Sequence, residues 1–172
     1  MKNILIFKTA IVVLGLLFAN FGYSQQIKGN YAIQNVETEL LLRPKNASKQ
    51  NEAPIVLYSP VNWKCLTWNF KHVEGNTYQL ENLFSSKTFH PENNNAEAMV
   101  ALKQTPLQEE NSFQQWEFIP TGNDAYRIRL KNTELYLTPA DNSGNTNTEV
   151  NLQKKLEGNL QLWTIYEQHP TM

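Results

Sequence analysis

The stretch "FQQWEF", residues 113–118, has two counterparts in the same chain, "CLTWNF" around Trp68 and "LQLWTI" around Trp163. The three tryptophans lie 48 and 47 residues apart. Two further series keep this interval. Tyr31, Tyr78 and Tyr126, within "GNYAIQN", "GNTYQLEN" and "GNDAYRIRLKN", are spaced by 47 and 48 residues. Pro44, Pro91 and Pro139 each follow an apolar residue by two positions (Leu42, Phe89, Leu137) and are again 47 and 48 apart. Three markers of different chemistry that agree to within one residue define a threefold internal repeat.

Within each unit the pattern is that of short strands. Tyr31, Ile33 and Asn35 alternate along one face, as do Tyr78, Leu80 and Asn82. In the third copy Tyr126, Ile128 and Leu130 alternate and Asn132 stands two residues further on, which reads as a longer hairpin. Each proline leads into a polar loop, "KNASKQNEA", "ENNNAEA" or "ADNSGNTNTE". An apolar strand follows, "PIVLY", "AMVALK" or "EVNLQK", and then the tryptophan strand. The expectation is four strands per repeat, joined by turns rich in Gly, Asn and Pro. No amphipathic helix is legible, and "LKQTPLQEEN" is interrupted by Pro106.

Three copies are too few for a propeller, which needs about four blades or more. The all-β arrangement that closes with three is a pseudo-threefold barrel, the β-trefoil. There Trp68, Trp116 and Trp163 would point inward as one layer of the core.

The start of the chain reads as a leader rather than as fold. "MKNILIFK" carries Lys2 and Lys8, residues 10–19 are apolar or small, and Gly22 and Ser24 precede a polar turn. This pattern predicts a secretory signal over residues 1–24, cut after Ser24. The apolar run is shorter than the roughly 20 residues of a membrane span, so no span is expected once the leader is removed. The remaining 148 residues, 25–172, suit one domain with its own core, secreted or periplasmic. Without Lys2 and Lys8 that domain has 13 basic and 16 acidic residues, a formal charge of −3. Nucleic acid and anionic membranes, which require a basic patch, are not expected partners. The only cysteine, Cys65, takes the place of Phe113 and Leu160 three residues before the tryptophan. It can form no internal disulfide and reads as a small buried hydrophobe.

The "Q-x-W" at residues 114–116 and 161–163, with "Y-x-I-x-N" at residues 31–35, resembles the ricin-type β-trefoil lectin family over essentially all of residues 25–172. The resemblance implies a sugar-binding domain with up to three shallow sites. Each site would combine an acidic residue on the second strand, an aromatic ring after the third, and an Asn-Gln pair before the tryptophan. Carboxylate and amide groups would meet sugar hydroxyls, while the ring covers the apolar side of the pyranose. Carried onto this chain, the acidic position falls on Arg43, His90 and Thr138, none of them acidic. The ring position falls on Tyr58, Lys103 and Gln153. The pair becomes Cys65 and Leu66, Phe113 and Gln114, and Leu160 and Gln161, with no asparagine. No repeat keeps the full set.

The first repeat is the best candidate surface, with Arg43, Tyr58, Asn62 and Trp63 as ligand-binding residues. Trp63, in "VNW", stands outside the repeating series. It either caps the core or presents an exposed ring. Arg43 would suit an anionic sugar or carboxylate. Gln114 and Gln161 read as partners of backbone groups within the barrel.

Other function classes find less support. His72, His90 and His169 occur singly, no G-x-S-x-G elbow or glycine-rich phosphate loop is present, and neither metal nor cofactor is expected. The expected activity is therefore non-catalytic binding of a glycan or polysaccharide. The alternative is an interaction or inhibitor module for an envelope or host protein, with loops such as "HPENNNAEA" as its working surface.

Overall fold

The computed structural model describes residues 26–172, and the expected leader lies outside them. The first repeat contributes β1 (Gly29–Asn35), β2 (Leu41–Pro44), β3 (Ile55–Tyr58) and β4 (Trp68–Glu74). The second contributes β5 (Thr77–Asn82), β6 (Lys87–Pro91), β7 (Leu102–Pro106) and β8 (Trp116–Gly122). The third contributes β9 (Ala125–Leu130), β10 (Leu135–Pro139), β11 (Val150–Lys154) and β12 (Trp163–Glu167).

Six of these strands close a barrel. The antiparallel pairs run β1 with β4, β4 with β5, β5 with β8, β8 with β9, β9 with β12, and β12 back to β1. The register explains why two sequence markers share one period. Trp68 faces Tyr31, Trp116 faces Tyr78 and Trp163 faces Tyr126 across neighbouring strands. The other six strands form three hairpins, β2 with β3, β6 with β7, and β10 with β11. Bridges Pro54–Lys103, Val56–Glu149 and Ala101–Asn151 join the hairpins into a cap. This is a β-trefoil, all-β and four strands to a repeat.

Packing follows the threefold pattern with local departures. Trp68, Trp116 and Trp163 are fully buried in the main core, with Leu42, Phe89 and Leu137 from the cap hairpins. Trp68 Nε1 donates to the Leu42 carbonyl at 2.9 Å and Trp163 Nε1 to that of Leu137 at 3.0 Å, tying barrel to cap. Tyr31, Phe70, Tyr78, Phe118 and Tyr126 form a chain of edge and tilted ring contacts at centroid distances of 5.0–5.8 Å. Each such ring removes enough apolar surface from water to stabilise the fold by about 1.5–3 kcal/mol.

One expectation about the hairpins is corrected. The cross-barrel partners Trp163–Asn35, Trp68–Asn82 and Trp116–Leu130 make Leu130, not Asn132, the third-repeat equivalent of the two asparagines. Asn35 Nδ2 donates to the Leu160 carbonyl and Asn82 Nδ2 to that of Cys65, both at 2.9 Å. Leu130 has no side-chain amide to offer and packs into the main apolar core. Asn132 sits in the following turn at φ 60°, a conformation that asparagine tolerates well.

Candidate functional site

The hairpin of β2 and β3 brings three of the four first-repeat candidates together. Leu41 pairs with Tyr58 and Arg43 with Val56, so Arg43 and Tyr58 are diagonal neighbours on one face. The Arg43 guanidinium carbon lies 3.5 Å from the centre of the Tyr58 ring. Such a cation over an aromatic face is attracted by the ring's negative π cloud, more so where water is excluded. Arg43 is only 6 % exposed, with no hydrogen-bond partner at Nε. Trp63 lies near-parallel to Tyr58, with centroids 6.4 Å apart and planes inclined by 26°. Trp63 is 37 % exposed, whereas the three barrel tryptophans are not exposed at all. Asn62 is exposed beside it, and its Nδ2 donates to the His169 carbonyl at 3.4 Å.

A second apolar cluster supports this platform. Ala32, Leu41, Cys65 and Leu66 are buried together, with Ala47, Tyr58 and Val61 packed against them. Leu66 occupies the position that is glutamine in the other two repeats. Burial pushes the Cys65 thiol pKa up, opposed in part by the neighbouring Arg43 guanidinium. The loop from β3 to β4 is held by the end of the chain. Gln168 accepts from Thr67 Oγ1 at 2.7 Å and donates to the Val61 carbonyl at 3.4 Å. The Lys64 N–H donates to the Met172 carbonyl at 2.6 Å. On this side of Trp63 a cavity of about 250 Å³ opens, lined by Ala47, Trp63, Lys64, Cys65, Phe84 and Met172. Phe84 and Met172 come from the β5–β6 turn and the last residues described. Neither belongs to the repeating pattern, so sequence reasoning missed them. The one available signal was a large apolar residue in the polar turn "NLFSSK".

The equivalent places in the other repeats are occupied by contacts within the fold, although the buried His90 Nε2 has no hydrogen-bond partner. His90, in the position of Arg43, is buried with Nδ1 2.8 Å from Asn94 Oδ1. Thr138, the third counterpart, donates to the Tyr136 carbonyl and accepts from Gln161 Nε2. Gln114 bonds the Gln108 N–H and the Pro106 carbonyl, and Gln161 bonds the Leu156 N–H and the Lys154 carbonyl. Both amides are thus spent on the loops that lead into their tryptophan strands. The ring position also needs a correction. Leu41–Tyr58, Thr88–Thr105 and Tyr136–Gln153 are equivalent pairs, so Thr105, not Lys103, is the counterpart of Tyr58. Lys103 pairs with His90 two residues earlier and reaches toward Glu92 at 3.7 Å. Neither Thr105 nor Gln153 has a ring.

Among the described residues no group of three His, Cys, Asp or Glu side chains converges as a metal site, and no helix is long and apolar enough to cross a membrane. The model of the ricin-type β-trefoil lectin domain-like family matches residues 64–153, from the turn carrying Cys65 through β11. The chain belongs to this family. Solved structures share its fold at low identity. A designed threefold-symmetric protein, ThreeFoil, superposes with a TM-score of 0.77 at 20 % identity, over 81 % of this chain and 99 % of that one. The ricin B-like lectin of Macrolepiota procera, solved with lactose, gives 0.71 at 22 % identity, over 86 % and 100 %. An exo-β-1,3-galactanase from Clostridium thermocellum gives 0.75 at 19 % identity, over 83 % of this chain and 31 % of the enzyme. No curated protein sequence matches the chain.

Proposed function

We propose that this protein is a non-catalytic carbohydrate-binding module that takes a saccharide on the outward side of Trp63. Membership of a lectin-like family supports the class. The observation that carries the location is the contrast among the tryptophans, three buried in the barrel and one exposed in the first repeat. A flat aromatic ring suits the apolar face of a pyranose, and its near-parallel contact with Tyr58 holds it in place. Tyr58 and Arg43 act behind that ring. Arg43 spends its charge on Tyr58 and is too buried to serve as the receptor for an anionic sugar. Asn62 offers an amide at the rim for sugar hydroxyls.

A single shallow site of this kind binds weakly, about millimolar to micromolar. The leader pattern supports export, to the periplasm or beyond the cell. A second reading, an interaction module for an envelope or host protein, is favoured by the absence of the acid and the asparagine from every repeat.

A glycan array that includes charged, plant and microbial polysaccharides separates the two. The carbohydrate reading predicts retention on a defined subset, released by the free sugar. A blank array, with a stoichiometric protein complex indifferent to sugar, would transfer the assignment to the interaction module.

A further inference from the structure

Of the large apolar side chains most exposed on the described surface, three gather around one cavity: Trp63, Phe84 and Met172, at 37, 37 and 73 % exposure. The remaining walls are Ala47, the stem of Lys64 and the buried thiol of Cys65. Apart from the Lys64 ammonium, the Trp63 indole N–H and the thiol, no side chain here offers a hydrogen bond. A bare sugar placed inside would lose water from most of its hydroxyls with few partners to replace it, at a net cost. An apolar group would instead gain by leaving water. The space is ample for a ring, since an apolar cavity of roughly 150 Å³ holds benzene.

The wall chemistry narrows the choice to an aromatic group. Two rings, Trp63 and Phe84, offer offset or edge contacts, and the Met172 thioether adds a sulfur–aromatic contact. Lys49 places its ammonium 4.4 Å from the Phe84 ring centre, a cation–π contact that helps to hold this ring. The Trp63 indole both lines this cavity and forms the exposed platform proposed for the saccharide.

We propose that the cavity is a subsite for an aryl group attached to the saccharide, so that the preferred ligand is an arylated glycan: sugar on Trp63, ring between Trp63, Phe84 and Met172. This rests on the carbohydrate reading above.

The test is calorimetric titration of the whole protein with matched methyl and phenyl β-glycosides of glucose, galactose and N-acetylglucosamine. Burying the aryl group should make the phenyl glycoside of the bound sugar roughly tenfold tighter or more. Phe84→Ser and Met172→Ala, both at exposed positions, should each erode that preference while leaving the methyl glycoside unchanged. Equal affinity for the two glycosides, or a preference untouched by both variants, overturns the subsite and leaves the carbohydrate reading standing. A phenyl glycoside that binds through Phe84 when no methyl glycoside or array glycan binds keeps the subsite and overturns the sugar platform. No binding by either glycoside of any sugar overturns the subsite, while retention on the array decides the carbohydrate reading separately.

Discussion

Gln161 and Leu66 occupy the same position in two repeats and solve one packing problem in opposite ways. Gln161 holds the loop into β12 through the Leu156 N–H, the Lys154 carbonyl and Thr138. Gln161→Ala would strand these groups in a buried site and should cost about 1–3 kcal/mol in a urea unfolding titration. Leu66 instead fills an apolar cluster, and Gln168, from the far end of the chain, supplies the bonds that hold the adjoining loop. That substitution was visible in the sequence, but its compensation was not, because Gln168 follows no repeat spacing. Cys65 belongs to the same cluster, as its alignment with Phe113 and Leu160 suggested. Burial raises its thiol pKa in the folded state, so the unfolded chain loses the proton first. Stability should therefore fall as pH rises past about 8.5, the ordinary thiol range. In Cys65→Ala the thiol's share of this dependence should vanish from denaturation curves recorded between about pH 8 and 10.

Among the elements, the turns that leave the β2 and β6 prolines show how local chemistry fits the repeat unevenly. Asn46 and Asn93 sit at φ 55° and 56°, followed by Ala47 at 50° and Asn94 at 51°. Asparagine tolerates this left-handed region, whereas alanine pays for a Cβ crowded against the backbone. Ala47→Gly should raise stability by about 0.5–1 kcal/mol and Asn94→Ala should lower it, both read from thermal midpoints. Strand placement was legible because aromatic and proline markers recur with the period. Register inside the β6–β7 hairpin was not. "AMVALK" is mostly apolar, without the alternation that pins a face, and draws the ring position to Lys103, although the 47-residue interval from Tyr58 agrees with the pairing on Thr105. The same limit applied to Tyr58. Its aromatic identity was plain, but the Arg43 guanidinium over one of its faces depends on hairpin pairing that spacing alone does not reveal.

For the whole molecule, closure into a trefoil follows from three units that cannot each bury an apolar face alone. That argument needs only the period and the count, which is why the architecture was readable from the sequence. The candidate site is a departure from the symmetry. Trp63, the apolar turn residue Phe84 and the chain's last residues meet only once the barrel closes and β12 pairs with β1. A threefold pattern reports what the repeats share, and the proposed binding surface is built from what they do not share.

The four tryptophans allow the central proposal to be tested in one measurement. In a heteronuclear NMR titration of the labelled protein with a saccharide retained on the array, each indole N–H gives its own signal. The account predicts that the Trp63 indole shifts on addition of ligand, while those of Trp68, Trp116 and Trp163, buried in the barrel, hold their positions. A saturable titration that leaves Trp63 unmoved and maps to the second or third repeat would contradict it.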